Sequence, residues 1–120
     1  MRQEAMGLDN YAQPSEHGEL SEEDKQAFIR SGIMLGGGEG GFRGKIYDEY
    51  IYDITGESLY QDWIPPDTVK KMYQALVKCD PKEITAKGSY WRPITESEVL
   101  ELRTFFKICA KRNLGLLGSY

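Results

Sequence analysis

Six of the nine positions from 36 to 44 are glycine, and two cations close the run GGGEGGFRGK at Arg43 and Lys45. Such a run can cradle a phosphate, because glycine amides approach an anion with no Cβ in the way and the cations supply charge. Gly36, Gly38 and Gly41 spell GxGxxG after the apolar triplet Ile33-Met34-Leu35. A dinucleotide fold, however, continues to a second parallel strand that ends in an acid about 20 residues on. This chain continues with ESLYQDWIPP and a further helical pattern. A phosphate-binding Gly-Lys pair also fails at Gly44-Lys45. Its first glycine would fall on Glu39, and Ile46 stands where Ser or Thr would reach magnesium.

What survives is an anion site expected at Gly38, Gly40, Gly41, Arg43 and Lys45. Cations at a helix N-terminus are unfavourable by a few tenths to about 1 kcal/mol each. A negative group therefore belongs beside them. It is a ligand, Glu39, or an acid from the first 19 residues.

Other chemistry is thinner. His17 is the one histidine, and Cys79 and Cys109 are the two cysteines, with no CxxC spacing. A structural zinc site wants four Cys or His ligands, and a His-based nucleophilic engine would have to use His17 in its polar N-terminal stretch, so both are disfavoured. No metal and no cofactor are expected, and no catalytic acid–base pair stands out. Asp48, Glu49 and Asp53 lie on one helical stretch without the loop pattern a calcium site needs, so they read as a solvated face.

A second group of residues points to a protein partner. Arg103, Lys107 and Lys111 step four residues apart, and Lys70 and Lys71 add charge from the preceding helix. Tyr52 points away from the apolar side of its helix, and Trp63 and Trp91 sit in connectors, where binding residues concentrate. The first 62 residues carry a net charge of −8 and the rest +4, for a total of −4. That balance disfavours nucleic acid and anionic membrane, and favours a protein with an acidic surface. No apolar run approaches a membrane span, no signal peptide is evident, and the cytoplasm is the expected compartment.

These residues must be held by four helices. Ser21 with Asp24 three residues later caps a helix that stops at Gly32. Phe42, Ile46, Tyr50 and Ile54, flanked by Tyr47 and Ile51, give a helical face that ends at Gly56. Pro65-Pro66 opens a third helix, with Val69, Met72, Tyr73, Leu76 and Val77 on one side. Thr95 and Glu98 form a capping box for a fourth helix running to about Arg112. Leu114, Leu116 and Leu117 form an apolar tail that should fold back onto the core. The expected fold is mainly α: a compact, irregular bundle of about four helices with long connectors and room for one very small β element. Residues 1–19 read as a loosely ordered arm that Leu8 and Tyr11 dock, and residues 20–120 as one globular helical domain. The functional expectation is a small non-catalytic protein-interaction or regulatory module. The alternative is a binder of, or enzyme for, a small anionic ligand at the glycine-rich turn.

Overall fold

The computed structural model describes residues 7–82 and 94–120. Its elements are β1 (Asp9–Gln13), α1 (Glu22–Ser31), a 3-10 turn (Leu35–Gly37), β2 (Gly41–Arg43), α2 (Gly44–Thr55), β3 (Trp63–Ile64), α3 (Pro66–Val77), α4 (Glu96–Arg112) and β4 (Gly115–Ser119). The mainly α expectation is corrected. The strands form one four-stranded antiparallel sheet in the order β2-β1-β4-β3, and the fold is mixed α/β. Residues 9–13, within the stretch read as an arm, supply an inner strand of that sheet. The strands escaped the sequence because they are two to five residues long and hold Gly, Asp and Asn, which disfavour strands locally. Their pairing is also remote: Asp9 sits opposite Ser119.

The helices follow the sequence signals, except that Phe42, assigned by its spacing to the second helix, lies in β2 just before α2 begins at Gly44. Ser21 accepts a hydrogen bond from the Asp24 amide, and Gly32 closes α1 in the left-handed region. Both bonds of the Thr95–Glu98 capping box form. Tyr47, Tyr50 and Ile51 of α2, Val69, Met72 and Leu76 of α3, and Val99, Leu102, Phe105, Phe106 and Cys109 of α4 are buried together. Ile33-Met34-Leu35 forms no strand. Leu35 enters the 3-10 turn and Met34 is 76% exposed. Among the described residues no helix is long and apolar enough to cross a membrane.

One face of the sheet lies on this core. Asn10 and Ala12 of β1, Phe42 of β2, Ile64 of β3 and Leu116 of β4 point inward and are buried. Asn10 is the buried polar residue among those described. Its Nδ2 donates to the Leu59 carbonyl at 3.2 Å, which ties β1 to the segment before β3. Asp48 of α2 fixes the same segment by accepting from the Leu59 amide at 2.6 Å and the Ser58 hydroxyl at 3.1 Å. That acid is therefore a structural acceptor rather than part of a solvated face. The first residue of α2 must be glycine for space, since a Cβ on Gly44 would lie 1.8 Å from Asn10 Oδ1.

Candidate functional site

The glycine run is a packed turn. Gly36 has φ +57°, and a Cβ there would lie 1.9 Å from the Gly41 carbonyl oxygen. Two backbone segments cross at that point with no room for a side chain. Gly38 and Gly40 also have positive φ. The amides of Gly37 and Gly38 donate within the turn, to Met34 and Leu35, and the Gly40 carbonyl accepts from Ala12. The turn borders an open cleft of about 540 Å³ whose walls include Tyr11, Glu19, Lys25, Glu39 and Arg43. Two ion pairs lie in it: Arg43 Nε to Asp9 Oδ1 at 3.7 Å, and Lys25 Nζ to Glu39 Oε1 at 3.6 Å. Asp9, carried by β1, is thus the negative group beside Arg43. Both pairs are well exposed, so each contributes between about 0 and 1 kcal/mol. Lys45 is half-buried, and its amide donates to the Leu8 carbonyl at 3.4 Å.

The basic residues divide sharply. Arg103 Nε donates to the Leu76 carbonyl at 3.2 Å and its Nη2 donates to the Cys79 carbonyl. It caps the C-terminal end of α3, where free carbonyls and the helix dipole favour a cation. Arg112 pairs with Asp24 and, at 3.7 Å, with Glu23, joining the end of α4 to the start of α1. The attraction between the acidic and basic halves of the chain is made there. Lys70 meets Asn113 Oδ1 at 3.0 Å and Asp67 at 3.9 Å. Lys71, Lys107 and Lys111 are exposed. Tyr52 is 58% exposed on α2. Trp91 lies outside the described residues.

Trp63 falls in a different place from the lysines. It faces outward on β3, on the side of the sheet away from the core. Register places Gly41, Tyr11, Leu117 and Trp63 in one row across all four strands. Tyr11 is 43% exposed, and Leu117 and Trp63 are half-buried. The rings rest on glycines. A Cβ on Gly41 would meet Tyr11 Cδ1 at 2.9 Å, and one on Gly115 would meet Trp63 Cη2 at 2.7 Å. Each ring leans over the neighbouring strand on its β2 side, Tyr11 straight across its partner Gly41 and Trp63 diagonally, over Gly115 rather than its partner Leu117. The next outward row holds Arg43, Asp9 and Ser119.

Sequence reasoning found Trp63 and treated Tyr11 as a docking residue of an arm. It did not join them, because DNYAQ puts Asn and Ala on its buried side and so lacks the apolar alternation of a half-buried strand. Tyr120, beyond β4, donates to Asp62 Oδ1 at 2.9 Å. That bond, followed by desolvation, raises its pKa above the ordinary value, and desolvation does the same for Tyr60. Burial, and secondarily the charge of Asp24, pushes the Cys109 thiol far up. Among the described residues no cluster of three or more His, Cys, Asp or Glu side chains is placed to hold a metal ion. The chain matches no family model, no curated protein and no solved structure.

Proposed function

We propose that this chain is a small non-catalytic interaction module that meets another protein through the outer face of its sheet. The observation that carries the reading is the Tyr11–Leu117–Trp63 row: two aromatics and a leucine in register, solvent-accessible, on a rigid element. Tyr and Trp bring large contact area with few rotatable bonds, and they dominate binding hot spots. The pairing of Arg43 with Asp9 and of Lys25 with Glu39 supports this reading over an anion site at Gly38, Gly40, Gly41, Arg43 and Lys45. The inward engagement of Arg103 supports it over a basic stripe on α4. An acidic partner surface would be met by Lys71, Lys107 and Lys111, as an auxiliary contact in the cytoplasm.

The test is selection of peptides from a displayed random library on the wild-type chain, followed by rebinding to variants. Selected peptides should lose at least tenfold in affinity for Tyr11→Ala, about 1.4 kcal/mol. They should bind Lys107→Glu/Lys111→Glu within about threefold of wild type, as rim charges contribute little. Equal binding to Tyr11→Ala, or loss confined to the lysine variant, would remove the sheet face from the account.

A further inference from the structure

From the geometry of the same face we infer its ligand class: a proline-rich segment in the polyproline II conformation, followed by a basic residue. This rests on the sheet-face reading above and narrows it. The first argument is size. The face spans at most about 19 Å across four strands and about 17 Å along β4, or about 320 Å². A stable globular interface takes about 800 Å² from each partner, so neither a second copy nor a folded domain is accommodated by this row. A short extended peptide is.

The second argument is conformation. Adding a strand needs a free sheet edge. The outer side of β2 is closed by Gly36 against the Gly41 carbonyl, and β3 is two residues long. A polyproline II segment needs no ladder hydrogen bonds, and aromatic surfaces are what it docks on. Tyr11 and Trp63 stand two strand spacings apart, roughly 9.6 Å. Prolines at i and i+3 of a polyproline II helix are about 9.3 Å apart. Tyr11 lies across Gly41 in its own row, while the Trp63 indole reaches diagonally over Gly115, two residues along β4, so the backbone positions set the spacing across the strands and the indole extends the apolar track along β4. Leu117 floors the gap beneath the two intervening residues.

The third argument is charge. Beyond Tyr11 the peptide path runs over Gly41 into the cleft. There Asp9, Glu19 and Glu39 face Lys25 and Arg43. Two of the acids are paired with the two cations, which leaves the exposed Glu19 carboxylate without an ion pair among the described residues. A Lys or Arg about three residues past the second proline reaches this region.

The experiment is a titration of isotope-labelled protein with four synthetic peptides of about ten residues: Pro-x-x-Pro-x-x-Arg, the same with both prolines changed to alanine, the same with Arg changed to Glu, and a selected non-proline peptide. The first should shift the amides of Tyr11, Gly41 and Leu117 and the Trp63 indole. Losing both prolines should weaken it at least tenfold, and losing the Arg several-fold, more so at low salt. Tyr11→Ala should abolish the shifts while Tyr11→Phe keeps them, with circular dichroism showing both variants folded. Equal binding of the alanine peptide overturns the proline inference. If only the non-proline peptide binds this face, the ligand class is wrong and the module reading stands. If none binds, both fail.

Discussion

Replacing Gly44 with alanine sets two effects against each other. Gly44 is the first residue of α2, and alanine in a helix is favoured over glycine by up to about 1 kcal/mol. Against this, the new Cβ would lie 1.8 Å from Asn10 Oδ1 and 2.8 Å from Leu8 Cδ2. Leu8 can rotate a methyl aside. Asn10 is fully buried and can yield only by giving up its bond to the Leu59 carbonyl. Losing that bond costs about 1–3 kcal/mol, and overpacking a further 1–3. The balance is a loss of about 3 kcal/mol. At about 2.1 cal/mol/K per residue, the unfolding entropy of 120 residues makes this a Tm drop of roughly 12 °C. In an Asn10→Ala background the obstructing oxygen is gone, and Gly44→Ala should be neutral or slightly stabilising. Urea denaturation of the four proteins of this cycle should therefore give a coupling of about 3 kcal/mol. Gly44→Ala stabilising the wild type, or costing the same in both backgrounds, would refute the packing argument. The outcome bears on function because Asn10 seats the strand that presents Tyr11.

Other expectations follow from single contacts. Arg103→Ala should cost about 2 kcal/mol, a Tm drop of roughly 8 °C, because two carbonyls at the end of α3 lose a charged donor; Arg103→Glu should cost more. A thermal melt within 2 °C of wild type (roughly 0.5 kcal/mol) would sink the capping role. Thiol titration should find one reactive cysteine per native chain, Cys79, and two in denaturant, since buried Cys109 resists forming a thiolate. Two fast thiols in the native protein would contradict the packing of α4. Tyr120 and Tyr60 have pKa values raised above 10.0 in the fold. A raised acid favours the folded state while protonated, so their contribution is full below pH 10 and is lost as pH rises through the folded values. Ultraviolet titration should show late tyrosinate formation that moves earlier in Asp62→Ala; no change would remove the Tyr120–Asp62 bond from the account.

The helices were legible because their signals are local. Ser21 and Thr95 cap, Gly32 and Gly56 terminate, and the apolar spacings in α3 and α4 match their buried faces. Two periodic assignments fail: Phe42 belongs to β2 rather than to the face of α2, and Val77 is 47% exposed at the end of α3. The sheet was not legible because it is made of remote pairings between short, weak strands. GFR and WI carry no pattern at that length, and GLLGS holds glycines that make sense only once Trp63 is seen lying on one of them. The acid beside Arg43 was expected from charge, yet its identity as Asp9 required knowing that β1 and β2 are neighbours. Arg103 looked like a surface cation from its spacing on α4. Only the position of the α3 carbonyls reveals its work.

The most direct test of the central claim is a map of amide and indole shifts in the labelled wild-type chain saturated with a peptide selected on it. The account predicts perturbations concentrated on Gly41, Tyr11, Leu117 and the Trp63 indole, absent in Tyr11→Ala. Perturbations centred on Lys107 and Lys111, or on the amides of Gly38 and Gly40 with Tyr11 unmoved, would contradict it.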